Sequence, residues 1–232
     1  MTRLLLVFVL LCSGPIAWAD DCVVLLHGLA RVSNSMSELE TKLGRAGYIA
    51  QNIHYPSRRY SVQTLAADAV GRGVAQCREE NAETIHFVAH SLGGILVRQY
   101  LTDYHLAELG RVVMLGTPNQ GAVIAERLDA WPGFSFLGPS AEEISTGAES
   151  IIPDLAEVNF ELGVIAGDIN VNPLAAILLD EPNDSVVTVS STRVENMTDH
   201  LVLPVIHTIM MRDNDVIDNT IHFLKTGQFI PQ

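Results

Sequence analysis

Short apolar runs alternate with longer segments of helical period along most of the chain, and this alternation constrains the fold more than any other feature. The first run, Val23 to Leu26, contains no polar residue, as is typical of a strand buried on both faces of a sheet. Strand followed by helix at this spacing favours one α/β domain with a mostly parallel sheet of about six strands and helices on both faces. The strands are predicted at 23–26, 48–54, 84–89, 111–115, 163–166 and 201–206, and the helices at 35–44, 61–80, 92–104 and 213–225.

Composition excludes several classes of protein. The 232 residues include 27 acidic and 14 basic side chains, which give a net charge of −13. This balance argues against nucleic-acid binding, because affinity for duplexes comes largely from Lys and Arg side chains that neutralise phosphates. The apolar content of 48% and the charged content of 18% are unlike those of a disordered chain. No apolar run reaches the roughly 18 residues of a membrane-spanning helix, so no transmembrane segment is expected.

Residues 1–19 have the three-part pattern of a secretory signal peptide. A positive charge precedes the apolar run Leu4 to Leu11, and Ala17-Trp18-Ala19 presents small residues at the positions that a signal peptidase reads. Cleavage is predicted before Asp20, which leaves one domain over residues 20–232. The sequence therefore predicts export to the periplasm or out of the cell, and an apolar N-terminal strand or anchor helix is the alternative.

Export changes the interpretation of the cysteines. Cys12 would leave with the signal peptide, so that Cys22 and Cys77 remain. A pair of cysteines in an oxidising compartment predicts one disulfide, here between the start of the first strand and the end of a helix. Two buried free thiols are the alternative. Neither cysteine has the spacing of a metal-ligand motif, so no metal site is expected.

The motif Val88-Ala89-His90-Ser91-Leu92-Gly93-Gly94 falls where the third strand is predicted to turn into a helix. Small residues two positions before and two positions after Ser91 are what a sharp strand-to-helix turn requires. Such a turn lifts the serine hydroxyl above the carboxyl ends of the strands, where it can act as a nucleophile. The amide of Leu92 begins the helix and points toward the negative charge that develops during attack on a carbonyl group.

A second donor for that charge is expected at the end of the first strand. His27-Gly28-Leu29 follows the first apolar run directly, and a glycine at this point allows the backbone to approach a ligand closely. The amide of Leu29 is therefore the predicted partner of the Leu92 amide in an oxyanion hole.

A serine nucleophile needs a base that is held by a third group, and at such a turn the acid and then the base follow the serine along the chain. His207 lies between the last predicted strand and the final helix, which places it at the carboxyl end of the sheet. His200 would lie at the opposite end of that strand. Asp184 is the predicted acid because its loop can reach the histidine, and Asp168 at the tip of the fifth strand is the competing choice.

Residues 119–162, between the fourth and fifth strands, show no clear period, and this insertion is longer than an ordinary connection. Insertions of this kind are usually lids or binding loops. The apolar side chains that favour such a role here are Trp131, Phe134, Phe136 and Leu137. They are predicted to form an apolar cap over the serine that favours an acyl chain, and ordinary packing beneath a loop is an equal alternative.

Together these motifs resemble those of serine α/β-hydrolases of the small bacterial lipase and esterase kind. The likeness covers most of residues 20–232 and includes two further stretches, Gly-Thr-Pro-x-x-Gly within 115–121 and the residues 203–208 around the predicted base. The glycine usually found two positions before the serine is replaced here by Ala89. The resemblance implies an α/β-hydrolase fold with a lid-like insertion. The site residues that it implies are the triad Ser91, Asp184 and His207 and the oxyanion donors Leu29 and Leu92.

The function expected from this site is hydrolysis of small-molecule carboxylic esters, with lipids among the candidates. Serine amidases, thioesterases and acyltransferases would use the same residues, so they are alternatives. A non-catalytic binding protein on the same fold is less favoured, because such proteins typically lose a member of the triad. The sequence contains no dinucleotide fingerprint and no phosphate-binding loop, so no cofactor is expected.

Overall fold

The computed structural model describes residues 21–129 and 134–231, and its central feature is a six-stranded sheet. The strands are β1 (Cys22–Leu26), β2 (Ile49–Ile53), β3 (Ile85–His90), β4 (Leu109–Leu115), β5 (Leu162–Gly167) and β6 (Asp199–Leu203). Their order across the sheet is β2-β1-β3-β4-β5-β6, and each neighbouring pair is parallel. The predicted sheet is thus confirmed. The predicted signal peptide lies outside the described residues.

Helices connect successive strands, as the alternation of the sequence predicts. They are α1 (Ser37–Arg45), α2 (Val62–Leu65), α3 (Gly71–Glu79), α4 (Leu92–Asp103), α5 (Val123–Asp129), α6 (Pro139–Glu143), α7 (Pro173–Leu178), α8 (Val189–Thr192) and α9 (Asn214–Thr226). The helix predicted over 61–80 is observed with a π-helical turn, Ala66–Val70, between α2 and α3. It begins where predicted because the Ser61 side chain accepts a hydrogen bond from the Thr64 amide, 3.3 Å away.

The central strands are buried on both faces of the sheet, and β1 and β5 accordingly contain no polar side chain. Successive residues of β1 point to opposite faces, so that Val24 packs in one apolar cluster with Leu65 of α2, while Leu25 packs in the other with Leu39 of α1 and Phe223 of α9. All five of these side chains are buried. Each such side chain contributes about 1.5–3 kcal/mol when it is fully removed from water.

The order of the strands creates a crevice at the carboxyl edge of the sheet. β1 lies between β2 and β3, so the chain leaves β1 toward one side of the sheet and leaves β3 toward the other. Connections that diverge in this way leave a gap above the strand ends, which is where open α/β sheets bind their ligands. The loop after β1 and the turn after β3 border this gap.

The last strand is one place where the prediction is wrong. Residues 201–206 were expected to be extended, but β6 ends at Leu203. Pro204 has no amide hydrogen to continue the ladder, and the amide of Val205 donates instead to the Leu203 carbonyl at 2.8 Å. His207 consequently lies in the turn after the strand, still at the carboxyl edge of the sheet.

The predicted disulfide joins Cys22 at the start of β1 to Cys77 in α3, with Cα atoms 5.7 Å apart. Both residues are fully buried. Among the helices of residues 21–129 and 134–231, none has the length and apolar character needed to cross a membrane.

Candidate active site

Ser91 occupies a strained turn between β3 and α4. Its φ of 54° and ψ of −121° are rarely adopted by residues other than glycine, so the surrounding structure must hold the turn in place. The Ser91 amide donates to the Leu115 carbonyl at 2.9 Å, and the Thr117 hydroxyl donates to the Ser91 carbonyl at 3.1 Å. Contacts to the end of β4 therefore hold the backbone of the predicted nucleophile.

Asp184 and His207 are in direct contact. The Oδ2 atom of Asp184 lies 2.6 Å from Nδ1 of His207, and the His207 amide donates to the Asp184 carbonyl at 2.9 Å. The other carboxylate oxygen accepts from the amides of Val186 at 3.0 Å and Val187 at 2.8 Å. Because Asp184 is fully buried, these donors replace the water that its carboxylate loses. The contact places the proton of a neutral His207 ring on Nδ1 and leaves Nε2 available to accept one.

His207 and Ser91 line the same cavity, so the structure brings the three predicted triad residues to one place. The two competing choices lie elsewhere. Asp168 is exposed beyond the tip of β5. His200 lies at the start of β6, where its Nε2 atom is 2.9 Å from the Thr192 hydroxyl.

Of the two predicted oxyanion donors, Leu29 lines this cavity, and Leu92 directly follows Ser91, which also lines it. Neither the Leu29 amide nor the Leu92 amide makes a hydrogen bond to another group in the described part of the chain. The two loops that carry these amides are in close contact: a Cβ atom at Gly28 would lie 2.8 Å from Nδ1 of His90 and 3.1 Å from Cβ of Ser91. Only glycine allows this approach. Both amides are thus available beside the serine to an incoming oxygen atom.

His27 and Tyr55 support the loop after β1, and sequence reasoning did not find Tyr55. The two rings stack with centroids 4.0 Å apart, and the Tyr55 hydroxyl donates to the His27 carbonyl. Burial lowers the pKa of His27 to about 4, so this ring is neutral at physiological pH. Burial also raises the pKa of the Tyr55 hydroxyl, which keeps it protonated and able to donate. Tyr55 lies far from His27 along the sequence, so no local pattern predicts this contact.

Gly116 is a second feature that was not predicted as part of the site. It follows β4 with a φ of +56°, and a Cβ atom there would lie 3.0 Å from Nδ1 of His207 and 3.1 Å from Oδ2 of Asp184. The absence of a side chain therefore leaves room for the contact between acid and base. Gly116 belongs to the Gly-Thr-Pro-x-x-Gly stretch, which was the available signal.

The cavity has a volume of about 390 Å³ and is bounded mostly by apolar side chains. The insertion contributes much of this wall; its lining residues are Ala122, Ile124, Ala125, Leu137, Ala141 and Ile144. Val186 and Val187, next to the predicted acid, line it as well. A cavity of this size with a polar end at the serine suits an elongated apolar group better than a polar one.

The predicted aromatic cap is only partly observed. Leu137 lines the cavity, but Phe136 does not; its side chain is 74% exposed, with the Arg58 guanidinium 4.7 Å from the ring centroid. Stacking with a cation holds this ring at the surface, and the prediction for Phe136 is therefore wrong. Trp131 and the side chain of Phe134 lie outside the described residues. Within the part of the chain that is described, no group of three or more His, Cys, Asp or Glu side chains could hold a metal ion.

The sheet, the connections and the crevice define the α/β-hydrolase fold of lipases and esterases, and solved structures agree. Lipase BlEst2 of Bacillus licheniformis in its mature form is 20% identical, with a TM-score of 0.73 over 89% of this chain and 92% of that one. A metagenomic carboxyl esterase is 21% identical, with a TM-score of 0.65 over 82% of this chain and 65% of that one. A lipase-esterase related protein from Clostridium acetobutylicum is 14% identical, with a TM-score of 0.59 over 90% and 94% of the two chains.

The sequence gives a narrower assignment. The model of the palmitoyl protein thioesterase family matches residues 22–151, more than half of the chain, and the chain belongs to this family. The match includes Leu29, Ser91 and Leu92 and ends before Asp184 and His207. No curated protein matches the chain in sequence. The protein is thus a hydrolase of the lipase, esterase and thioesterase type.

Proposed function

We propose that the protein is an exported serine hydrolase that cleaves carboxylic esters through an acyl-enzyme intermediate on Ser91. The observation that carries this proposal is the 2.6 Å contact between Asp184 and His207 at the wall of the cavity that Ser91 also lines. A buried carboxylate that orients an imidazole beside a strained serine is the arrangement that activates a hydroxyl for attack.

The reaction follows from the roles of these groups. His207 takes the hydroxyl proton through Nε2, and the Ser91 oxygen attacks the ester carbonyl carbon. Asp184 holds the imidazole in the required tautomer and stabilises the imidazolium ion that forms. The amides of Leu29 and Leu92 donate to the negative oxygen, and each donor lowers the barrier by about 2.7–4 kcal/mol. The proton on His207 passes to the leaving oxygen, and water then releases the acid from Ser91 by the same steps.

A thioester is a second candidate substrate, and membership of the palmitoyl protein thioesterase family favours it. The same residues serve this reaction, because the attack is again on an acyl carbon and the proton goes to sulfur in place of oxygen. The apolar wall of the cavity suits the acyl half of either substrate. In this proposal, residues 119–162 act as the lid that supplies that wall.

Two further parts of the proposal concern the chain as a whole. Residues 1–19 are proposed to direct export, and residues 20–232 to form the hydrolase domain, in the periplasm or outside the cell. The disulfide between Cys22 and Cys77 supports an oxidising compartment, since disulfides persist in exported proteins and are rare in a reducing cytosol.

The proposal is tested with a panel of esters, thioesters and amides that share one acyl chain. Ser91→Ala is expected to lower kcat by at least about 1,000-fold and to abolish labelling by a fluorophosphonate. Ser37→Ala, on the half-exposed face of α1, is the matched control and is expected to behave as the wild type. Equal turnover by Ser91→Ala and the wild type would refute the assignment of the nucleophile. Turnover of amides alone would replace ester hydrolysis with amidase activity.

A further inference from the structure

A second groove lies beside the serine cavity, and we call it the arginine groove. Arg31, Arg58 and Arg59 line it together with His54, and its volume is about 560 Å³. No carboxylate is among its lining residues, although acidic side chains outnumber basic ones by 27 to 14 in the chain. The groove therefore concentrates positive charge on an otherwise acidic protein.

The loop that carries two of these arginines is fixed in place. Ser57, which precedes Arg58, is 3% exposed; its hydroxyl accepts from the Ala30 amide at 3.0 Å, and its carbonyl accepts from the Ser140 hydroxyl at 2.6 Å. These contacts tie the loop after β2 to the loop after β1 and to the insertion. A guanidinium presented from a fixed loop loses less conformational entropy when it binds an anion.

The charges in the groove are not neutralised by neighbouring carboxylates. In the described part of the chain, the salt bridges of arginine are Arg72 with Asp68, Arg78 with Glu108 and Arg111 with Glu161. Arg31, Arg58 and Arg59 make no such contact with any described residue. Arg58 lies over the exposed Phe136 ring, which leaves the edge of its guanidinium and its donors open to the groove.

The arginine groove borders the serine cavity. Ala30 and Arg31 line both of them, and Ala30 directly follows the oxyanion donor Leu29. An ester bond at Ser91 would therefore have an apolar wall on one side and a basic groove on the other. The acyl chain suits the apolar wall, so the leaving group is directed to the arginine groove.

We propose that the arginine groove binds a phosphate group on the leaving-group half of the substrate, so that the protein selects acyl esters or thioesters with a phosphate-bearing leaving group. Guanidinium groups present paired donors that match phosphate oxygens, and three of them border one groove. This proposal rests on the hydrolysis proposed above. A glycerophospholipid and an acyl coenzyme A both carry this chemistry.

The test compares substrates with the same acyl chain: a neutral ethyl ester, a neutral thioester, a glycerophospholipid and the coenzyme A thioester. The measured quantity is the ratio of kcat/KM for each phosphate-bearing substrate to kcat/KM for the neutral substrate of the same bond type. The double variant Arg58→Gln, Arg59→Gln is expected to lower this ratio by about tenfold or more, because bonds to charged partners are lost. Added sodium chloride should lower the wild-type ratio as well.

Arg45→Gln is the matched control. Arg45 is exposed at the end of α1, where the chain has returned to the opposite edge of the sheet, and its loss should not change the ratio. If the ratio falls in the double variant for the phospholipid alone, or for the coenzyme A thioester alone, the proposal is supported and the source of the phosphate is identified. A wild-type ratio near one for both substrates, or equal ratios in the double variant and the wild type, would overturn it.

Binding separates this proposal from the hydrolysis on which it rests. Calorimetric titration of Ser91→Ala with coenzyme A and with glycerol 3-phosphate measures the groove without turnover. If the wild type hydrolyses none of the four substrates, hydrolysis at Ser91 is refuted, and the titrations still decide whether the arginines hold phosphate. Arg58→Gln and Arg59→Gln are then added to Ser91→Ala. If the affinity for at least one of the two ligands weakens about tenfold, phosphate binding in the arginine groove is supported; if neither affinity changes, it is refuted.

Discussion

His90 connects the turn of the predicted nucleophile to the backbone of the predicted base. Its Nε2 atom lies 2.9 Å from the His207 carbonyl, and the two rings are 4.6 Å apart between centroids. Because a carbonyl can only accept, Nε2 carries the proton. Burial, followed by the nearby His207, lowers the pKa of His90 well below its usual value, which keeps the ring neutral. In the proposed mechanism, His90 is therefore a positioning residue that acts through His207.

Substitution of His90 should separate positioning from binding. His90→Phe keeps a ring of similar size but removes the donor, so the turn that holds His207 loses its fixed place. We expect kcat to fall by about 10- to 100-fold with little change in KM, since small displacements of a catalytic group have effects of this size. His90→Gln retains an amide donor and should recover much of the loss.

The measurement is steady-state hydrolysis of a neutral ester, together with the rate of fluorophosphonate labelling of Ser91. The labelling rate reports the reactivity of the Ser91 hydroxyl. If His90 only contributed to stability, the labelling rate of the folded protein would not change. A His90→Phe protein with wild-type kcat and labelling rate would show that the contact to the His207 carbonyl has no role.

Some site residues could be predicted from the sequence and others could not. Ser91 and Leu29 are signalled locally, because a sharp turn and a close approach each require small neighbours within a few positions. The contact of Tyr55 with His27 joins residues 28 positions apart. Gly116 leaves space for Asp184 and His207, which follow it by more than 60 positions. Contacts of that kind are set by the packing of distant elements, which a single sequence does not reveal.

At the scale of elements, periodic segments were predicted well and irregular ones were not. β3 follows from a mainly apolar segment and α4 from a long helical period. The end of β6 was predicted three residues too late because Val205 and Ile206 are apolar, and apolarity alone does not show that Pro204 lacks an amide hydrogen. The insertion has no period, so its contribution to the cavity wall could be suggested only from its length.

The cavity wall built by the insertion allows a test of acyl-chain selection. Ala125 of α5 lines the cavity with a small side chain, and Ala125→Leu would fill part of the 390 Å³. We expect kcat/KM for the longest acyl esters to fall by about tenfold or more, because overpacking costs about 1–3 kcal/mol. Esters with the shortest acyl chains should be hydrolysed nearly as well as by the wild type.

The control for this test is Ile177→Leu, on the exposed side of α7 and outside the cavity lining. It should leave the dependence on chain length unchanged. An Ala125→Leu protein whose profile across the ester series is parallel to that of the wild type would place the acyl chain elsewhere.

For the whole molecule, the disulfide constrains the unfolded chain and lies away from the chemistry. Cys22 and Cys77 are 55 positions apart, and closing a loop of that length contributes about 4 kcal/mol in the chain-entropy model. The double variant Cys22→Ala, Cys77→Ala should lose up to that free energy of unfolding and keep kcat, because neither residue lines the serine cavity. Urea unfolding measures the loss. A reductant should destabilise the wild type and leave the variant unchanged; equal responses to the reductant would contradict the prediction.

Buried histidines make the stability of the whole molecule depend on pH. Burial lowers the pKa of His27 and of His200 to about 4, and it lowers the pKa of His86 as well. In the unfolded chain these rings take up protons below about pH 6.5. The unfolded state therefore binds more protons between about pH 6.5 and pH 4, so the free energy of unfolding falls as the pH falls through this window. His27, which is fully buried, accounts for about 3 kcal/mol of this loss by pH 4.

The net charge should change the free energy of unfolding in the opposite direction, so the sign of the measured pH dependence shows which effect is larger. Acidification reduces the charge of −13 and its self-repulsion, so electrostatics of the whole chain alone would favour the folded state. Urea unfolding across this window should nevertheless give a decreasing free energy for the wild type. His27→Gln should reduce the slope by up to about 1.4 kcal/mol per pH unit, the value of one proton. His105→Gln, at an exposed position, is the control and should keep the wild-type slope. A free energy of unfolding that rises toward pH 4 in the wild type would mean that charge repulsion outweighs the buried imidazoles.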